Sequence, residues 1–278
     1  MQIIYDLDNL RHVYTTMDRD AIGFVPTMGN LHQGHLSLVA ASKKTAQHTV
    51  VSIFVNPLQF GPHEDFLNYP RTLDADIEGL KSLNPDIVFV PDTAMLYPQG
   101  DQHSTTVIEP MLSQVLCGQS RPDHFKGVTT VVCKLFNIIR PRWAYFGEKD
   151  YQQFAIIKKM VADLMMPIEV LPLPTFRESN GLALSSRNAY LSSAQKELAP
   201  RLYQILQQCR EKILAASQPF RPLEQAAMTE LKNYGFAPDY FSIRETDTLA
   251  EAKNHNSPLR IFVAAGLGKC RLIDNIAV

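Results

Sequence analysis

Along about the first 175 residues, short apolar, β-branched runs alternate with stretches whose apolar positions recur every three or four residues. Five runs read as strands: IGFVPT at 22–27, TVVSIFV at 49–55, DIVFV at 86–90, WAYFG at 143–147 and IEVLPL at 168–173. They are almost free of charge, as strands covered on both faces must be. Helical spacing occupies 35–47, 73–83, 128–139 and 150–164, and Pro141 ends the third of these because the residue before a proline avoids the helical region. Strand and helix alternating in this way predict βαβ units, hence an α/β fold with a doubly wound parallel sheet. Beyond a Pro-, Ser- and Gly-bearing stretch at 171–188 the texture changes. Helical patterns at 192–216 and 223–234 precede β-rich runs at 240–245, 260–265 and 270–278, which predicts a smaller α+β domain.

A length of 278 residues fits two unequal domains, divided here as 1–175 and 176–278. The 27 Lys and Arg against 28 Asp and Glu leave a net charge of -1, which provides no electrostatic footprint for nucleic acid or for an anionic membrane. Cys117, Cys133, Cys209 and Cys270 lie far apart without metal-ligand spacing and read as reduced thiols. The start, MQIIYDLDNL, has neither a basic nor an apolar signal region, and no apolar run approaches the ~20 residues that span a bilayer. A cytoplasmic setting without membrane partners is therefore expected.

The chemistry concentrates where predicted strands end. FVPTMGNLHQGH runs from a strand through a turn with Gly29 into a helix opened by His32, Gln33, Gly34 and His35. A helix start offers unpaired N–H groups and partial positive charge to a phosphate, and Gly34 lets backbone approach it. Two imidazoles there can donate hydrogen bonds as charge moves onto departing pyrophosphate, which suggests attack at the α-phosphate of ATP. The competing reading, a metal pair at i, i+3, lacks the glutamate of H-E-x-x-H and an obvious third ligand.

Ser185, Ser186 and Arg187 of LALSSRN carry hydroxyls and a planar fork suited to a triphosphate. H-x-G-H followed by S-S-R resembles the paired signatures of class I aminoacyl-tRNA synthetases and of the wider HxGH nucleotidyltransferase superfamily. FGEKDYQQF puts Gly147, Glu148, Lys149 and Asp150 at a strand's carboxyl end, where doubly wound sheets bind ligands, so Lys149 can meet phosphate; read alone, the same residues make a charged turn capping a helix. IFVNPLQFG offers Asn56 and Gln59, amides that suit a small hydroxy acid. Asp74 and Asp76 follow in a helical run, where carboxylates hold Mg²⁺ through water or simply face solvent. The G-L-G-K at 266–269 lacks the remaining residues of a P-loop.

Taken together, PTMGNLHQGH, SIFVNPLQFG with YPRT, RPDHFKGV, FGEKDYQQ, SSRN and the terminal LIDNIA closely resemble the pantothenate synthetase (pantoate–β-alanine ligase) family over nearly the whole chain. The resemblance implies a Rossmann-like first domain, a smaller C-terminal lid, a homodimer through the first domain, and ATP with Mg²⁺ joining pantoate to β-alanine by way of pantoyl adenylate. It implies an ATP site of Met28, Gly29, Asn30, Leu31, His32, Gln33, Gly34 and His35, completed by Gly147 to Asp150 and by Leu184 to Arg187. His35 matches the proton donor and His32 its phosphate-binding companion, with Lys149, Ser185 and Arg187 the other catalytic positions. Gln59 and Gln153, with Asn56, match the pantoate site, and Gln59 also borders β-alanine. Phe176 matches a backbone contact to adenine, and Asp76 the acidic position near Mg²⁺. Leu184, Phe176 and Ala75 stand where the family often has Met, Val and an acidic residue.

Three other readings, an adenylyltransferase of another small substrate, a synthetase fragment or a nucleotide sensor, account less well for the amide-rich loop, the neutral surface and the two histidines.

Overall fold

The computed structural model describes residues 1–61, 66–215 and 219–278. The chain forms two compact units. The first comprises Met1–Gln114, Arg121–Gly147 and Gln153–Leu173; the second comprises Val115–Ser120, Glu148–Gln152 and Pro174–Val278.

In the order of the chain, the elements leading through the first unit are β1 (Gln2–Ile4), α1 (Leu7–Tyr14), β2 (Ile22–Thr27), α2 (Gln33–Thr45), β3 (His48–Ile53), α3 (Leu73–Lys81), β4 (Ile87–Phe89), α4 (Thr93–Leu96), the one-turn α5 (Cys117–Ser120) that belongs to the second unit, α6 (His124–Ile139), β5 (Trp143–Gly147), α7 (Tyr151–Asp163) and β6 (Glu169–Leu173). Six strands pair in the order β1-β4-β3-β2-β5-β6, every pair parallel.

Adjacent residues on β2 show that both faces are covered, because successive side chains of a strand point oppositely. Val25 packs with Leu38 and Val39 of α2, whereas the ring of Phe24 meets Phe136 of α6 edge-on. The doubly wound expectation is met. From β2 the chain builds outward through β3 to β4, then returns to lay β5 on the other side of β2. The carboxyl ends of β2 and β5 therefore flank the point of reversal, where open sheets of this kind bind ligands.

The second unit continues with α8 (Ser193–Leu198), α9 (Arg201–Leu214), α10 (Phe220–Asn233), β7 (Ala237–Glu245), β8 (Leu259–Leu267) and β9 (Cys270–Ala277). Its three strands form an antiparallel sheet in the order β7-β8-β9. Leu202, Ile205 and Leu206 of α9 and Leu223 and Leu231 of α10 join Ile243, Ile261 and Val263 of the sheet in one core. Of the 266–269 glycine segment, Gly266 and Leu267 end β8 and Gly268 and Lys269 make the turn into β9.

Several boundaries depart from the pattern. β1 adds a three-residue edge strand, too short to show a period. The expected 192–216 helix divides after Leu198, and Ala216 lies outside the described residues. Pro200, which has no N–H to continue the ladder, sits at the division as the N-cap of α9. Within α10, Pro222 falls in the first turn, where its missing N–H has no intrahelical partner to lose, so the helix starts at Phe220 ahead of it. Among the described residues, no helix is long and apolar enough to cross a membrane.

Candidate active site

At the end of β2 the Thr27 hydroxyl donates to the Ser52 carbonyl of β3 (2.8 Å) and accepts the Gly29 N–H (3.2 Å). Gly29 at φ +79° and Asn30 at φ +50° then reverse the chain through the left-handed region, where glycine carries no side-chain penalty. Asp76, in the first turn of α3 and 3% exposed, fastens this reversal. Its two carboxylate oxygens accept the N–H groups of Asn30 (2.9 Å) and Leu31 (2.7 Å), and the Thr72 hydroxyl donates to it as well (3.3 Å).

His32 follows in extended conformation as the N-cap of α2. Its Nδ1 accepts the Gly34 N–H (3.1 Å), while Nδ1 of His35 reaches back to accept the N–H of His32 (3.3 Å). This is a capping box made of two histidines, with ring centroids 4.1 Å apart. A nitrogen that accepts from a backbone N–H carries no proton, so in each neutral ring the proton resides on Nε2. The backbone of the helix start thus turns both imidazoles into Nε2 donors. Gln33 and Gly34 form the first two positions of the helix.

After β3, Asn56 is 1% exposed and occupied at both ends of its amide. Nδ2 donates to the Gly127 carbonyl (3.0 Å) and to Oε1 of Gln59 (3.3 Å), and Oδ1 accepts from the Tyr97 hydroxyl (2.7 Å). A carbonyl only accepts, so Gly127 fixes which end of Asn56 faces it. Asn56 in turn fixes Gln59, whose Nε2 is left directed at the thioether of Met28, a weak acceptor. Burial pushes the Tyr97 hydroxyl pKa well up, which keeps that group a donor. Gly127 is required by contact: a Cβ there would collide with the Leu58 carbonyl oxygen. The carbonyl of Gln59 is held by His124 Nδ1 (2.7 Å) and by Arg121 Nη2 (3.5 Å). Gln153 is half-buried on α7, whereas its neighbour Gln152 is engaged by the Cys117 N–H and the Val115 carbonyl. Gly147 closes β5.

In the second unit, Glu148 to Asp150 make a single tight turn. Lys149 Nζ lies 3.6 Å from Asp150, and Glu148 pairs with Arg260 (3.3 Å). Residues 176–184 fold as a hairpin in which Leu184 N–H donates to the Phe176 carbonyl (3.0 Å) and Arg177 bridges to Ala183. Phe176 is 44% exposed. Arg177 forks onto Asp274 of β9 at 2.6 and 2.9 Å. Burial pushes the Asp274 carboxyl pKa up, and the Arg177 guanidinium opposes that push. Ser185 caps the turn over Ser186–Tyr190 by accepting the Arg187 N–H (3.3 Å).

Each unit therefore gathers part of the sequence-predicted set: Met28 to His35, Gln59 and Asp76 beside the ends of β2 and β3, and Lys149 with 176–187 around β9. Asn56 is buried and bonded to Gln59, Gly127 and Tyr97. Asp76, the position expected near Mg²⁺, is committed to the turn, its oxygens accepting the Asn30 and Leu31 N–H groups and the Thr72 hydroxyl. Among the described residues no three His, Cys, Asp or Glu gather to hold a metal. Sequence reasoning does not single out Tyr97, His124, Gly127 or Asn275, although RPDHFKGV and LIDNIA, which contain three of them, stand out as motifs without a role.

The chain matches the profile of the pantoate-beta-alanine ligase family over residues 2–277. It is 52% identical over 257 residues to a pantothenate synthetase of Hahella chejuensis, covering 92% of this chain and 91% of that protein. To a pantothenate synthetase of Idiomarina loihiensis it is 49% identical over 278 residues, covering 100% and 98%. Among solved structures, pantothenate synthetase from Thermus thermophilus superposes with a TM-score of 0.92 at 41% identity, covering 99% of each chain. Pantoate-beta-alanine ligase from Francisella tularensis, complexed with beta-gamma ATP and beta-alanine, superposes with a TM-score of 0.84 at 36% identity, covering 100% of this chain and 97% of that one.

Proposed function

The chain belongs to the pantoate–β-alanine ligase family and is an ATP-dependent ligase of pantoate and β-alanine, and we propose that it works through a discrete pantoyl adenylate built at the histidine-capped start of α2. The carboxylate of pantoate attacks the α-phosphorus of ATP and pyrophosphate leaves. The amine of β-alanine then attacks the acyl carbon, expelling AMP and losing a proton. The observation that carries this reading is the paired capping by His32 and His35, which sets two Nε2–H donors beside a helix N-terminus. Such donors stabilise charge as it develops on phosphoryl oxygens.

On the second unit, Lys149, Ser185, Ser186 and Arg187 are the phosphate-binding groups in this reading, with the Phe176 backbone toward adenine. Gln59 and Gln153 take pantoate, Gln59 also bordering β-alanine. Mg²⁺ enters with the nucleotide, and no carboxylate of the chain is assigned to it. A homodimer through residues 1–175 and a cytoplasmic setting complete the reading on family grounds.

The decisive experiment is isotope exchange. Labelled pyrophosphate is expected to enter ATP when pantoate is present and β-alanine is not. Exchange that appears only on adding β-alanine would remove the discrete adenylate.

Gln59 offers a narrower check. With its amide nitrogen turned toward Met28 by Asn56, it is a donor awaiting an oxygen, so Gln59→Ala is expected to weaken pantoate rather than ATP. A buried hydrogen bond lost to one partner costs about 1–3 kcal/mol, or roughly five- to 150-fold in the pantoate KM. Equal calorimetric losses for ATP and pantoate would contradict the assignment.

A further inference from the structure

The terminal motif LIDNIA lies on β9, at the far end of the sequence from the segments that carry the chemistry, and one of its side chains reaches the turn that bears Lys149. Asn275 is buried, and its Nδ2 donates to two successive backbone carbonyls, those of Glu148 (2.8 Å) and Lys149 (2.9 Å). Its Oδ1 accepts from Arg260 Nη1 (2.5 Å). An arginine has no acceptor, so the amide can stand only one way round, with its two N–H groups toward the turn. Arg260 is itself fixed: its second Nη pairs with Glu148 (3.3 Å) and its guanidinium lies 3.8 Å from the centre of the Tyr151 ring.

Arg260, Asn275 and the Glu148 side chain thereby close a ring of polar contacts around the tight turn, clamping its backbone while leaving the Lys149 side chain outside the ring. We propose that Asn275 is a positioning residue for the adenylation step, setting the place of Lys149 through the carbonyls of Glu148 and Lys149. The inference rests on the reading above that Lys149 meets the phosphates of ATP.

Asn275→Asp is nearly isosteric and still accepts from Arg260, but it turns an oxygen toward two carbonyl oxygens. The turn must shift to escape that repulsion. A displacement on the order of 1 Å in a reacting group costs about ten- to a hundredfold in rate. In pyrophosphate exchange, Asn275→Asp is therefore expected to raise the KM for ATP and lower kcat by about tenfold or more in combination. The KM for pantoate should stay near wild type.

The experiment measures Asn275→Asp, Lys149→Ala and the double variant in the full-length chain, with thermal melts alongside. Because Asn275 acts through Lys149, Asn275→Asp should add little loss in the Lys149→Ala background, since residues that act as a unit are non-additive. Independent, multiplying losses overturn the inference. So does an Asn275→Asp variant with an unchanged ATP KM and kcat and only a lowered Tm, the pattern of a merely structural residue. Should Asn275→Asp not fold, Asn275→Ser carries the same test, with one donor kept and a smaller effect in the same direction expected. Near wild-type exchange in Lys149→Ala alone would instead strike the reading of Lys149 itself, so the two failures are distinguishable.

Discussion

His32→Asn and His35→Gln are each expected to fold as stably as the parent chain and to lose pantoate activation by about two to three decades, the usual worth of one transition-state donor. The substitutions follow from the capping box. Asparagine is a strong N-cap and can accept the Gly34 N–H in place of His32 Nδ1; glutamine at the third helical position can reach back to the residue-32 N–H, as His35 does now. Neither brings an imidazole Nε2–H, so cap and chemistry separate. His32→Ala, by contrast, should lose activity and also about 1 kcal/mol of stability with the cap. Pyrophosphate exchange at saturating ATP reads the first effect and thermal melts the second. Near wild-type exchange in both cap-preserving variants would leave the histidines as helix caps and nothing more.

What could be read from the sequence follows from where each determinant resides. β2 and β5 begin and end where expected, because a charge-free, β-branched or aromatic run bounded by turn residues is a local signal. The capping role of His32 is local too, yet a histidine is an unusual N-cap, and the apolar spacing places the helix start at 35 rather than at Gln33.

Other features depend on distant partners and leave no local trace. α6 begins four residues earlier than its periodicity indicates, since Gly127 interrupts the apolar pattern in order to let the helix touch Leu58. The hold on Asn56 comes from Tyr97, 41 residues away, and Gly127, 71 away, which no local pattern reveals. Asn275 is 126 residues from Lys149. Resemblance to a family names the positions that matter; only the fold distinguishes a group that touches substrate from one that holds its neighbour.

Asp76 is the sharpest instance, and it supports the second large effect: Asp76→Asn is expected to destabilise the first unit and weaken ATP without changing the demand for Mg²⁺. Family resemblance aligns this residue with a cation. Its surroundings are those of an anchor, with Asn30 and Leu31 donating backbone N–H groups from 46 and 45 residues away and Thr72 adding a hydroxyl. An amide in place of the carboxylate must turn an NH₂ toward at least one of those N–H groups, losing a charge-assisted bond and opposing donor to donor. Bonds of that kind contribute about 1.5–3 kcal/mol each, so a drop of about 2–4 kcal/mol is expected in denaturant unfolding, provided m is unchanged. The released turn carries Gly29 to Leu31 directly into His32, so the KM for ATP should rise by about tenfold or more, as misplacement of a phosphate-binding group predicts. Titrating Mg²⁺ at a fixed concentration of the Mg²⁺–ATP complex should then give the same half-activating concentration in parent and variant. A severalfold shift in that midpoint, with unaltered binding of nucleotide in excess EDTA by calorimetry, would return Asp76 to the cation and remove it from the turn.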